Sequence, residues 1–304
     1  MRGVILNADD FGYSSEINRA VIRAHEIGAL TSASLMVAEP AWHEAVELAQ
    51  SFPTLGVGLH VSVTHDRAVL GREQIPELVG PEGRLGIDPF KTGIKYAFDR
   101  RTSPQLYKEM EAQFKRFAET GLPWSHADGH QHFHLHPQVW RHFIDLCDAY
   151  GVHRIRLPHE ELRSHLRSGG DRSAANAAAL LAFRALRKKA IRDLQSRTRN
   201  HGKRYFYCDR VYGLMQTGNM NAHYLEQLIP RIAGATCEIY FHPASPHSRP
   251  LSEQTTDAYP DVEAHALMTS DLRRRLFEAG MVTGNYAQVE SLQRSSVNSI
   301  TTGV

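Results

Sequence analysis

Eleven consecutive residues hold an unusual density of groups that bind metals: His126-Ala127-Asp128-Gly129-His130-Gln131-His132-Phe133-His134-Leu135-His136. Every even position is His or Asp. In an extended chain alternate side chains share a face, so these six polar groups would line up. On a helix His126, His130 and His134 would still share one face. Neutral imidazole nitrogen and carboxylate oxygen are the donors that a divalent cation takes. A polar edge strand of solvated histidines is the plainer alternative.

Three other places offer matching groups. Asp9-Asp10 follows the apolar run 3–6, His60 lies near the end of the run 55–63, and His242 follows Glu238-Ile239-Tyr240-Phe241. Taken singly, these are an N-cap pair, a satisfied core histidine and a turn residue before Pro243. Taken together with His130, they put Asp or His at four separate strand ends. Adjacent carboxylates are expected to point in different directions, one to a cation and one free of it. A cation held by Asp10, His60 and His130 would keep positions open for water and substrate, as catalytic sites require. It would lower the pKa of water and polarise a carbonyl. Asp9 would then serve as general base, and His242 as the acid that protonates a leaving amine. The expectation is a one-metal hydrolase of an amide or ester.

The elements that must position these groups alternate along the chain. Strands are expected at 3–6, 33–37, 55–63, 152–157, 205–212, 236–241 and 281–283. Helices are expected from Ser14 or Ser15 to Ile27, then at 41–50, 103–119, from Pro137, at 174–194, 221–232 and 261–279. A further strand is expected after Pro123, with His130 following it. Residues 66–102 show no clear period and are read as a long loop over the site. Residues 160–203 are read as an insertion with a basic amphipathic helix: Arg184, Arg187, Lys188, Lys189 and Arg192 sit beside Leu180, Phe183, Leu186 and Leu194. Such a helix fits a membrane surface or a partner, although a solvated face on a packed helix is the commoner case. Strand and helix repeat about seven or eight times without an internal sequence repeat. That argues for a parallel α/β sheet closed or nearly closed into a barrel, in one domain over 1–287, with a frayed polar tail at 288–304.

Composition narrows the partners. The chain has 304 residues and a formal net charge of +2, which gives no reason to expect nucleic acid. Cys147, Cys208 and Cys237 form no CxxC, so neither a zinc–thiolate site nor a disulfide framework is expected. No run approaches the roughly 20 apolar residues of a membrane span, and the first residues lack a secretory pattern. The expected location is cytoplasmic, at most peripheral on the inner membrane face. A homo-oligomer is compatible with all of this.

Asn7-Ala8-Asp9-Asp10-Phe11-Gly12, Gly58-Leu59-His60, the segment from His126 to His134, and Phe241-His242-Pro243 resemble the signature segments of the YdjC/ChbG carbohydrate deacetylases. More narrowly, Ala112–Phe117, Gly121-Leu122-Pro123, Phe133–Pro137 and Ile239–Ala244 resemble the hopanoid-biosynthesis (HpnK) branch. The resemblance implies a distorted NodB-like (β/α) barrel and metal-dependent removal of acetyl from an N-acetylated sugar. By motif match it gives Asp10, His60 and His130 the metal, Asp9 the base role and His242 the acid role. Arg156, two residues before Pro158, would orient the base. His126, Asp128, His132 and His134 would orient ligands or meet the sugar. Gln131 stands where some members carry another His, so that position is no required ligand. Magnesium, zinc, manganese and nickel all suit the single cation. The narrower branch implies a lipid-linked substrate, N-acetylglucosaminyl hopanoid, with soluble diacetylchitobiose as the alternative. A two-metal phosphoesterase would need more ligands, and a non-catalytic sugar or lipid binder would need neither Asp9 nor His242.

Overall fold

Val4, Ile5 and Leu6 have no exposed surface, because the strand that carries them is covered on both faces. The structure, a computed structural model, describes residues 2–170, 173–243, 260–269 and 271–301, without the side chains of 175, 176, 260, 261 and 296–301. Ala244 and residues 302–304 of the expected tail lie outside the described residues. In chain order the elements are β1 (Arg2–Phe11), α1 (Ser15–Glu26), β2 (Ser32–Leu35), α2 (Trp42–Ser51), β3 (Gly56–Val61), α3 (Pro89–Phe98) and α4 (Thr102–Glu119). There follow β4 (Ala127–Gly129), α5 (Pro137–Ala149), α6 (Leu162–Arg167), α7 (Ala174–His201), β5 (Arg210–Tyr212) and α8 (Ala222–Leu228). The chain continues through β6 (Thr236–Phe241), α9 (Pro260–Thr269), α10 (Leu272–Glu278), β7 (Met281–Thr283) and α11 (Tyr286–Thr301).

The sheet order is β4-β3-β2-β1-β6-β5, with β7 beside the first residues of β1, and every strand pair is parallel. Single parallel bridges, Ala127 to Ile155 and Arg154 to Phe206, carry the pairing on from β4 towards the segment that enters β5. The strands therefore curl most of the way round a distorted barrel, the α/β class expected. Parallel pairing puts the C-terminal ends of β1, β3, β4 and β6 on one edge. The helices shield the outside. In α1 the Ser14 hydroxyl accepts from the Ile17 amide (3.3 Å), and Ile17, Val21 and Ala24 face inward. Full burial of a side chain the size of Ile17 or Val21 contributes roughly 1.5–3 kcal/mol relative to an exposed one.

Several expected boundaries move. β1 runs through Asp9 and Asp10 rather than stopping at Leu6. The loop at 66–102 contains α3, whose start is marked by Asp88 as N-cap and Pro89 in the first turn. The expected strands at 152–157 and 205–212 shrink to the bridges at 154, 155 and 206 plus β5. The helix expected over 221–232 passes into a 3-10 turn at Ile229–Arg231, which contains Pro230. The helix expected over 261–279 is two helices, with Asp271 in the left-handed region (φ 48°) between them. The start of the tail expected at 288–304 lies within α11. Tyr286 and Val289 in α11 are fully buried, and a Cβ on Gly3 of β1 would lie 2.8 Å from Val289 Cγ1. That segment is polar in composition, but its buried face packs on the barrel's central strand.

Candidate active site

At the C-terminal edge of the sheet the chain brings together groups that are far apart in sequence. Asp10, His60 and His130 each offer a ligand atom, all within 4.8 Å of one another. Oδ1 of Asp10 lies 3.2 Å from Nδ1 of His130 and 3.7 Å from Nε2 of His60. Asp10 adopts φ 62°, a left-handed conformation that costs a non-glycine residue about 1–2 kcal/mol. Beside it the β1–β2 register shifts between Ala8 and Phe11. These two distortions alter the expected divergence of adjacent carboxylates. Asp9 and Asp10 both reach the neighbourhood of His60, Asp9 together with Asp128.

The far sides of the imidazoles are engaged. His60 Nδ1 lies 2.8 Å from Oδ1 of Asp128, so Nδ1–H donates to that carboxylate and Nε2 faces Asp10. His130 Nε2 lies 3.5 Å from Oδ2 of Asp66. Burial disfavours a charged His60, but Asp128, Asp9 and Asp10 outweigh it and shift its pKa upward. The same field favours any cation at this point. One carboxylate oxygen and two oriented imidazoles are a donor set suited to a divalent metal, so the residues present fit one.

Behind this group lies Arg156, which has no exposed surface. It donates from both terminal nitrogens to the two oxygens of Asp9, each at 2.7 Å. It also reaches Asp128 Oδ2 at 2.7 Å and donates from Nε to Glu238 Oε1 at 2.8 Å. Its guanidinium lies 4.8 Å from the Tyr240 ring centroid. Burial alone would raise the Asp128 carboxyl, yet Arg156 and His60 hold it well below the usual carboxylate range. Asn7 Nδ2 donates to Asp9 Oδ1 at 2.8 Å. His242, just past β6, places Nε2 4.0 Å from Asp9 Oδ2 and Nδ1 3.8 Å from Glu263 Oε2. Its backbone N–H donates to that same Glu263 oxygen at 2.5 Å. Glu263 is fully buried on α9, and burial pushes its carboxyl upward.

The histidine stretch does not keep one face. β4 ends at Gly129, and Gln131 (φ 51°) and His132 (φ 57°) are left-handed within the 3-10 turn His130–Leu135. The alternation holds only from His126 through Asp128 to His130. His126 is buried next to Ser34 (Nε2 to Oγ 3.0 Å) and stacks on Tyr286 with ring centroids 4.1 Å apart. Ser34 donates its one proton to Asp128 (3.0 Å), so His126 must donate through Nε2. Burial accordingly pushes the His126 pKa down to about 3. A Cβ at Gly58 would lie 2.4 Å from the His126 ring, which explains the glycine two residues before His60. His132 Nε2 lies 3.1 Å from the Tyr240 hydroxyl, and His134 Nε2 lies 2.9 Å from the Arg156 carbonyl oxygen. His126, His132 and His134 are all buried. Gln131 is exposed.

Reading the sequence missed Asn7, Ser34, Asp66, Glu238, Tyr240 and Glu263. Glu238 did carry a signal, as a lone carboxylate inside an apolar strand. Ser34 and Glu263 carried none, since their roles depend on which strand or helix packs beside them.

A family model described as YdjC-like protein matches residues 3–278. A carbohydrate deacetylase of Mus musculus is 33% identical over 299 residues, covering 91% of this chain and 92% of that one. One from Homo sapiens is 35% identical over 260 residues, covering 81% and 76%. One from Brevibacillus brevis is 38% identical over 155 residues, and the chain spans 59% of its length. Among solved structures, one described as a putative cellobiose-phosphate cleavage protein of Enterococcus faecalis V583 superposes with TM-score 0.72 at 23% identity. It covers 95% of this chain and 98% of that one, a likeness of fold.

Proposed function

The chain belongs to the YdjC-like family, and from that membership and the site geometry we propose that it is a metal-dependent carbohydrate N-deacetylase. The observation that carries the reading is the pairing of two sets of groups at one strand edge. Asp10, His60 and His130 converge as cation ligands, and Asp9 and His242 stand beside them with oxygen and nitrogen 4.0 Å apart. A non-catalytic binder has no use for the second set.

Asp10, His60 and His130 would hold a divalent cation, which when bound would supply activation of water and polarisation of a carbonyl. The chain's own groups handle the protons. Asp9, clamped by Arg156 and Asn7, takes a proton from the attacking water. The new C–O bond forms as the acetamide carbonyl opens, and the C–N bond then breaks. His242 gives its proton to the departing amine nitrogen, with Glu263 fixing its backbone and facing its other ring nitrogen. Acetate and a free amino sugar are the products.

The substrate we propose is N-acetylglucosaminyl hopanoid, on the strength of the motifs shared with that branch. Soluble diacetylchitobiose is the competing substrate. The basic helix expected at the membrane loses one member: Arg187 turns inward, donating to the Leu157 and Cys208 carbonyls at 3.3 and 3.1 Å. Among the described residues no helix is long and apolar enough to cross a membrane. The deciding assay is acetate release from both substrates, with and without chelator. Release should stop with chelator and on Asp9→Asn, and should be faster from the hopanoid. Faster release from chitobiose would sink the hopanoid assignment, and chelator-resistant release would sink the metal role.

A further inference from the structure

The helix α3 is amphipathic in the wrong sense. It buries Thr92 and Tyr96, and Tyr96 donates its hydroxyl proton to the Val63 carbonyl at 2.6 Å. Its opposite face shows Phe90 (77% exposed), Ile94 (47%) and Phe98 (83%) at four-residue spacing, with Ile87 (66%) just before the helix. Four of the nine large apolar side chains exposed among the described residues thus fall within twelve positions. Scattered exposed apolar residues are ordinary, but a contiguous row of this kind marks a contact surface.

Its position and charge indicate which contact. Gly93 of α3 lies against Phe133 and His136, on the turn that presents His130. Phe183 of α7 packs edge-on against His132 of the same turn, with ring centroids 5.5 Å apart. The turn holding a proposed metal ligand therefore touches both α3 and the first half of α7. Residues 88–101 contain four cations and two carboxylates. Arg100, and Arg184, Lys188, Lys189 and Arg192 of α7, are exposed and form no ion pair among the described residues. Leu181 of α7 is 67% exposed. Lys91, Lys95 and Arg101 are ion-paired with Asp88, Glu77 and Asp99, but an apolar row next to the unpaired Arg100, with four more unpaired cations on a helix packed against the same turn, is complementary to an anionic lipid surface: rings and aliphatic chains enter the headgroup boundary, and cations meet the phosphates. A second copy of the chain is a poorer occupant, because a two-fold contact would set like cations against each other.

We propose that α3, together with the basic face of α7, docks the protein on an anionic bilayer surface with the site's rim turned towards it. The proposal deepens the lipid-linked reading and rests on it for its purpose. The two can fail separately, because vesicle binding needs no turnover and chitobiose hydrolysis needs no vesicles.

The test is co-sedimentation of the full chain with vesicles of phosphatidylcholine alone and of phosphatidylcholine with phosphatidylglycerol. The expected result is binding to the anionic vesicles that falls at least about tenfold in the Phe90→Ser, Ile94→Ser, Phe98→Ser triple variant. Charge reversal by Arg184→Glu with Lys188→Glu should weaken it by about fivefold or more per cation. Diacetylchitobiose hydrolysis should be unchanged in both variants, which also reports that they fold. Equal vesicle binding by the triple variant, or no binding by the wild type, would overturn the proposal. So would light scattering showing a wild-type dimer that the serines split into monomers, with no vesicle binding.

Discussion

Asp9 and Asp10 are neighbours in the chain, yet they belong to two polar clusters built differently. Asp9 sits in a cluster gathered round one buried cation: Arg156 meets Asp9, Asp128 and Glu238, with little or no solvent reaching any of them. Asp10 sits in a cluster whose donors turn towards a common point, with Asp128 and Asp66 facing the far nitrogens of its two imidazoles. Asp128 touches both, through Arg156 on one oxygen and His60 on the other. The first arrangement holds the barrel interior together. The second concentrates negative charge and lone pairs where a cation would bind. Their separation is what the proposed roles require: a proton acceptor and a metal ligand from consecutive residues at one strand end.

The largest expected effect tests the first cluster. Arg156→Met leaves three buried carboxylates without their cation, and breaking such a pairing costs about 3–5 kcal/mol. Urea unfolding should show that loss. A change below about 1 kcal/mol would mean that the carboxylates find compensation elsewhere, and the contrast between the clusters would fall. An effect of similar order, but read only in rate, belongs to His242. His242→Ala should lower kcat for acetate release by about 10²–10⁴-fold while the urea midpoint stays put. Loss of stability in step with activity would make His242 a structural residue instead.

A smaller effect sharpens the second cluster. Asp66 faces His130 and accepts from the Ser62 hydroxyl at 2.6 Å. Partners of this kind typically cost about 10–100-fold in metal affinity when removed. Asp66→Asn should therefore weaken binding of zinc or manganese in a calorimetric titration by that factor. Unchanged affinity would remove Asp66 from the account of the site.

The strands, and the rule that parallel strands end on one edge, were legible because apolar runs and helical periodicity record burial directly. Asp10, His60, His130 and His242 stood out because each follows or closes such a run. The partners of those residues were not legible in the same way. Ser34 reaches Asp128 only because β2 lies two strands from β4, and Glu263 reaches His242 only because α9 folds back beside β6. α3 was hidden for a different reason. Its apolar residues have helical spacing but face outward, so the segment lacked the inward stripe that identifies a packed helix. The left-handed turn at Gln131 and His132 broke the alternation of the histidines, since nothing in those residue types announces φ above zero.

The last predicted effect concerns the buried histidines near Asp10, His60 and His130. The His126 pKa lies at about 3 in the fold because burial opposes its charge, against about 6.5 in the unfolded chain. A depressed histidine contributes stability that is fully present above the unfolded value and is lost as pH falls from there towards the folded one. Between pH 7 and pH 5 this single group should remove about 2 kcal/mol from the unfolding free energy. His134, pushed down to about 4 by burial, acts in the same direction, while His60, pushed up, acts in the opposite one. The comparison that isolates His126 is therefore a difference of slopes. Urea unfolding of wild type and His126→Gln at both pH values should show the wild type losing about 2 kcal/mol more on acidification. Parallel losses would mean that His126 is protonated inside the fold. The hydrogen-bond chain from His126 through Ser34 to Asp128 would then need a different arrangement of protons.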